Sequence, residues 1–148
     1  MSLPIHPIVI HFPIALAVIA LCFDLGRWFW GRTRLIEAGF WGGSTPLLIA
    51  AMLGAFVSVA SGLVAETSAP KTEVVHQLIE SHETAAFLVS GGLALLAFWR
   101  IALRGMFPKR GAYLYLGALL LVTIVLVYGA FLGGQMVYSH GVGVQSTP

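Results

Sequence analysis

The chain is poor in charge. Of its 148 residues 9% are Asp, Glu, Lys or Arg and 58% are hydrophobic, a balance that excludes the surface of an ordinary soluble protein. The net charge of +2 is too small to suggest nucleic acid, so the scattered Lys and Arg read as markers of membrane topology. Cysteine is nearly absent. The single Cys22 lies in an apolar run, which excludes an internal disulfide and a CxxC redox pair and leaves the redox compartment unread. A phosphate-binding loop and a Ser-His-Asp order are also missing, which removes the case for a hydrolase or a nucleotide enzyme. No low-complexity segment or soluble linker interrupts a chain long enough for one domain. The polar tail from Gln145 to Pro148 is expected to fray.

Long apolar runs are what the sequence has in quantity. A bilayer core about 30 Å thick needs roughly 20 mostly apolar helical residues, and four segments qualify. They predict an all-α membrane protein, a single four-transmembrane-helix bundle over 1–148 with helices at 8–30, 42–65, 82–103 and 112–138. Helices are required because lipid leaves no backbone polar group a partner outside the chain. Arg27, Arg32, Arg34, Arg100, Arg104, Lys109 and Arg110 fall on one side and only Lys71 on the other. The positive-inside rule then predicts that both termini and the loop over 66–81 are extracytoplasmic. The start is not read as a signal peptide, because its basic residues follow the apolar run and no cleavage motif is present. Trp28, Trp30, Trp41 and Trp99 fall near the inner interface, as an aromatic belt does.

Within the loop, Val74, Val75, Leu78 and Ile79 recur at helical spacing and predict a short amphipathic helix over 72–81 leading into the third span. Pro70 would precede it and Thr72 would cap it. Arg100 is expected to snorkel toward the interface. Asp24 is expected to pair with Arg27 or Arg100, a proton path being the sharper alternative. Pro13 should kink the first span and open the carbonyl of Val9. His11 and His82, Trp28 and Trp99, and Gly62 and Gly133 each stand 71 residues apart. That weak repeat predicts two parallel helical hairpins.

His6, His11, His76, His82 and His140 all fall on the extracytoplasmic side. Imidazole is the commonest metal ligand and an axial ligand of haem iron, and several converging in a membrane require an explanation. On a continuous helix His6 and His11 would point about 140° apart, and His76 and His82 about 120° apart. Each therefore seeks a partner from another helix, and the 71-residue offset pairs His11 with His82 and His6 with His76, leaving His140 over. Structural roles stand beside this reading. An interfacial histidine anchors amphipathically, His6 sits in a His-Pro arm, and His140 suits a helix end that Gly141 and Gly143 stop. Glu66, Glu73, Glu80 and Glu83 share the face as second-shell partners, direct ligands or solvated carboxylates. The many span glycines would admit a flat macrocycle or serve close helix packing.

Several stretches carry a family resemblance: His6-Pro7-Ile8-Val9-Ile10-His11-Phe12-Pro13-Ile14-Ala15-Leu16, Asp24-Leu25, His82-Glu83, and Gly133-Gly134-Gln135-Met136-Val137-Tyr138-Ser139-His140-Gly141-Val142-Gly143-Val144. They resemble the bacterial four-helix membrane proteins grouped as the domain of unknown function 2231 family, over nearly the whole chain. The resemblance implies a multi-pass protein of the bacterial inner membrane, in a family sometimes fused or neighbouring to c-type cytochrome modules, which points to redox work. Its histidine positions carry over to His6, His11, His82 and His140.

Three functions follow as expectations. The first is a b-type cytochrome-like electron carrier or redox subunit, with haem b held by His11 and His82 and by His6, His76 and His140. It would work between membrane quinol and a periplasmic c-type cytochrome. The second is a transition-metal protein holding zinc, copper or iron on the same histidines. The third is a non-catalytic membrane subunit. Beyond the lipid bilayer, a homodimer is compatible with so many glycines.

Overall fold

The computed structural model describes residues 5–30, 43–67, 72–108 and 110–143. Among them the regular structure is helical: α1 (Ile5–Val9), α2 (His11–Trp30), α3 (Thr45–Glu66), α4 (Glu73–Ala102) and α5 (Ala112–His140). α1 and α2 make one span, His6–Trp30. With α3, α4 and α5 it gives four spans long and apolar enough to cross a membrane, in agreement with the sequence. Arg32, Arg34, Trp41, Pro70, Lys71, Lys109 and the tail after Gly143 lie outside the described residues.

Local chemistry explains the helix ends. Pro13 has no N–H for the Val9 carbonyl, and the first span is interrupted at Ile10. α3 opens at Ser44 with proline in its first turn, where a missing N–H costs nothing. Thr72 is extended and its hydroxyl accepts the Val75 N–H at 3.4 Å. Glu73 follows it in the first turn, where the helix dipole favours an anion. The short amphipathic helix expected over 72–81 is the opening of α4, continuous with the third span. No Gly or Pro stands between Thr72 and Gly91 to end it. α5 stops at Gly141 with φ 64°. There the Gly141 N–H reaches the Val137 carbonyl at 3.1 Å, the bond of an αL helix stop, and the Val142 N–H reaches the Met136 carbonyl at 3.0 Å.

α2 packs on α3, α3 on α4, α4 on α5, and α5 back on α2. The bundle is up-down, and α2–α3 and α4–α5 are two consecutive hairpins running the same way. The inward face of α2 is Pro13, Ala17, Ala20, Leu21 and Asp24, spaced as one helical stripe. It meets Leu48, Ala51 and Ala55 of α3, Val89, Leu93, Leu96 and Ala97 of α4, and Leu116, Leu119 and Leu126 of α5. Alanine on facing helices lets backbones approach closely, which is how membrane helices gain dispersion energy. Large apolar side chains such as Phe12, Phe87, Leu95 and Phe131 point outward, as lipid-facing residues do. The buried hydroxyls of the mid-bundle turn back on their own helices: Ser58 donates to Gly54, Ser90 to Ala86 and Thr123 to Leu119, each at 2.8 Å.

Gly92 of α4 lies close against Val122 of α5. A Cβ there would stand 2.5 Å from Cγ2 of Val122, closer than carbon atoms pack. Gly92→Ala should lower stability by about 1–3 kcal/mol, read as a lower midpoint of thermal unfolding in detergent. Val122→Ala in the same chain should restore most of the loss. A Gly92→Ala variant as stable as the parent would show that the helices separate freely there.

Candidate functional site

The bundle has a polar cluster at each end. At the end shared by the C-terminus of α2 and the start of α3, Asp24 continues the inward stripe of α2 and is buried. A buried carboxylate must be partnered. Arg100 of α4 is its counter-ion, with Nη1 at 3.3 Å from Oδ1, and this guanidinium is fully buried. It does not snorkel to the interface as expected. The inward stripe of α4 directs it to the bundle axis, where Asp24 and two ring faces replace water.

The remaining donors and acceptors close on one another. Ser44 donates to Asp24 Oδ1 at 2.6 Å and Tyr115 of α5 to Oδ2 at 2.7 Å. Arg100 gives Nε–H to the Thr45 hydroxyl at 3.1 Å and Nη2–H to the Gly105 carbonyl at 3.2 Å, while Thr45 donates to that same carbonyl at 3.1 Å. Arg104, at φ 53°, and Gly105, at φ 77°, turn the chain after α4, and the Gly105 carbonyl serves both donors. The guanidinium also lies over the rings of Phe107 and Tyr115, at 5.8 and 5.7 Å, a cation–π arrangement. Among the described residues no buried side-chain nitrogen or oxygen lacks a partner. All four spans contribute to this closed set, so it serves as a tie between helices.

At the opposite end two imidazoles meet. His6 and His82 have ring centroids 6.1 Å apart and planes at 87°, on spans that face each other diagonally across the bundle. Nδ1 of His82 lies 2.8 Å from the Gly129 carbonyl of α5. A carbonyl only accepts, so Nδ1 carries the hydrogen and neutral His82 keeps its lone pair on Nε2. Nδ1 of His6 lies 3.0 Å from the Ser61 hydroxyl. Ser61 spends its one hydrogen on the Ser58 carbonyl at 2.9 Å, so it accepts from His6, whose lone pair is again on Nε2. Glycines seat both rings. A Cβ at Gly62 would stand 3.0 Å from Cε1 of His6, and one at Gly133 3.4 Å from Cε1 of His82. Among the described residues His82 Nε2 carries no hydrogen bond, and His6 has the Ser58 backbone carbonyl as a further acceptor beside Ser61. Two neutral imidazoles thus offer a pair of lone pairs from diagonal helices, which is what two ligands of one metal require.

The family model described as predicted membrane protein (DUF2231) matches residues 2–146. The chain belongs to the DUF2231 family. No curated protein and no solved structure matches it. Of the DUF2231 histidine positions carried onto this sequence, only His6 and His82 come together. His11, expected to face His82, is exposed, and its Nδ1 donates to the Pro7 carbonyl at 2.6 Å. The reason is helical phase. His11 lies with Ala15, Val18 and Cys22 on the outer face of the first span, about 200° from Pro13. His76 is exposed with Nε2 3.7 Å from the Glu80 carboxylate, and His140 is exposed at the last turn of α5. The four glutamates do not support the imidazole pair: Glu73 accepts from Gln77 at 3.1 Å, and Glu83 lies beside Glu66 and Glu80. Ser61 and the Gly129 carbonyl fill the place expected of them.

A signal for the pair was present in the spacing of the sequence. His6 and Asp24 are 18 residues apart, and so are His82 and Arg100. Eighteen residues are five turns of helix and return to the same azimuth. The offset that relates the hairpins at both polar ends is therefore 76, not 71. Gly62 and Gly133 keep the 71-residue spacing and seat one ring each.

Removing one partner of the inner pair should be costly. Asp24→Ala and Arg100→Ala should each lose about 3–5 kcal/mol of stability, whereas Tyr115→Phe should lose about 1–2 kcal/mol. The double variant should lose less than the sum of the single losses. Thermal unfolding in detergent reads all four, and additive losses would deny that the groups are coupled.

Proposed function

We propose that this protein is a membrane cytochrome of b type, in which His6 and His82 would hold one haem. The observation that carries the reading is the imidazole pair from diagonal helices, with Nδ1 of each ring hydrogen-bonded and 6.1 Å between ring centroids. Two imidazoles sharing one metal through Nε2 at about 2 Å each hold their centroids roughly 6 Å apart. The hydrogen bonds from Nδ1 orient ligand rings and raise their basicity, as outer partners of metal-bound histidine do. Haem supplies reversible one-electron chemistry when bound. The chain's part is to hold two rigid ligands and to present Gly62 and Gly133 where larger side chains would displace them. Half-buried Gln135 and exposed Tyr138 follow on α5 as neutral donors for carboxylate groups.

A bare zinc, copper or iron ion is the weaker reading. Among the described residues no group of three or more His, Cys, Asp or Glu side chains converges. A macrocycle brings four nitrogens of its own and needs only the two imidazoles. On this reading membrane quinol would be the electron donor and a periplasmic c-type cytochrome the acceptor. The excess of basic residues at the Arg100 end supports an orientation with the imidazole end outside the cytoplasm, in a bacterial inner membrane. Alkaline phosphatase fused after Pro148 should therefore be active, and a fluorescent protein fused there should be dark. The reverse pair of results would invert the topology.

The test of the cofactor is spectroscopic. Protein purified after haem-supplemented expression should show a Soret band and, once reduced, sharp bands of six-coordinate low-spin haem. His6→Gln and His82→Gln should each abolish that spectrum, while His11→Gln, His76→Gln and His140→Gln leave it intact. A colourless wild type sinks the proposal, and near-stoichiometric zinc or copper in such a preparation would favour the bare ion.

A further inference from the structure

The two imidazoles are held in different ways. His82 belongs to α4, a helix of 30 residues, and its Nδ1 is fixed by a backbone carbonyl that no side-chain change removes. His6 belongs to α1, a helix of 5 residues, parted from α2 by the interruption at Ile10. α1 packs on α3 and touches α2 at the break. Across that break the Ile10 N–H reaches the His6 carbonyl at 3.2 Å. Laterally, the polar ties of His6 to α3 are the Ser61 hydroxyl at 3.0 Å from Nδ1 and the backbone carbonyl of Ser58, with the ring lying over Gly62. Ser61 is itself oriented, because its hydrogen goes to the Ser58 carbonyl.

We infer that Ser61 is a positioning residue that fixes His6 as the Nδ1–H tautomer and latches α1 onto α3, which makes His6 the releasable member of the pair and His82 the permanent one. Ser61 touches neither the lone pair of His6 nor the partner ring. It acts through the imidazole, since the tautomer of a histidine is set by the hydrogen bond its other nitrogen makes. Without the hydroxyl, His6 keeps the Ser58 carbonyl but loses its side-chain acceptor, and the preference for hydrogen on Nδ1 weakens. The latch acts on the hinge as well. A five-residue helix next to a proline has little stability of its own, so its docking depends on what α3 offers. The use of the pair as ligands rests on the haem reading above, but tautomer and docking belong to the chain alone and can be measured without a cofactor.

The experiment is nitrogen NMR of histidine-labelled, haem-free protein in detergent micelles, with amide hydrogen exchange at Ile10, on wild type, Ser61→Ala and Ser61→Thr. His6→Gln assigns the His6 signals. Wild type should show His6 and His82 both as Nδ1–H. Ser61→Ala should move His6 toward the Nε2–H form and speed exchange at Ile10 roughly tenfold. Ser61→Thr, which keeps the hydroxyl, should behave as wild type. His82 should stay Nδ1–H throughout and thereby report that the bundle is intact. An Nε2–H His6 in wild type, or a His6 signal indifferent to Ser61→Ala, overturns the inference. The two readings fail separately. Haem-free wild type with the expected Ser61 response sinks the cytochrome and keeps the latch, and a haem-loaded wild type indifferent to Ser61→Ala does the reverse.

Discussion

The Asp24 carboxylate and the Arg100 guanidinium, both withdrawn from water and lipid, face each other, and each of their nitrogen and oxygen atoms has a hydrogen-bond partner. Such a pair adds little net stability over a well-packed apolar substitute, because desolvation offsets its attraction. Its consequence is specificity. Ser44 and Thr45 bring α3, Tyr115 brings α5, and the turn after α4 brings the Gly105 carbonyl. A helix rotated by one residue, about 100°, would strand a charge in hydrocarbon. The azimuth of the first and third spans is thereby fixed at one end of the bundle.

That azimuth is delivered to the other end by the helices themselves. Eighteen residues from Asp24 and eighteen from Arg100 stand the two imidazoles, about 27 Å away at 1.5 Å per residue, on the same inward stripes. Between them the contacts are Ala and Leu, whose small and apolar surfaces keep the stripes in register without polar cross-links. The interruption at Ile10 permits the last adjustment, because α1 can settle its histidine over Gly62 without moving α2.

Four spans, their antiparallel order, the Thr72 cap and the glycine stop at Gly141 were legible in the sequence, because hydropathy, capping and glycine act locally. The shared end of the histidines follows from the same order. The ring that meets His82 was misread as His11, since the 71-residue spacing of tryptophan, glycine and histidine outweighed the phase of the inward stripe. Counting from buried positions such as Ala17 and Ala20 would have favoured His6, but burial is a tertiary fact. Arg100 was read as a snorkelling residue because its distance from the span end permits it; only the opposing Asp24 turns it inward. Ser61 carried no signal of its own, as one of several small polar residues on a membrane helix.

The mid-bundle hydroxyls of Ser58, Ser90 and Thr123 each spend their hydrogen on a carbonyl one turn back. They offer no relay between the two ends among the described residues. What remains between the ends is dielectric alone. A unit charge added at the imidazoles would be felt at Asp24 across about 27 Å as roughly 0.6 kcal/mol at an effective dielectric of 20. That is close to thermal energy. The two ends are insulated from one another, so a charge change at the imidazoles must be balanced at their own surface and not by the groups around Arg100.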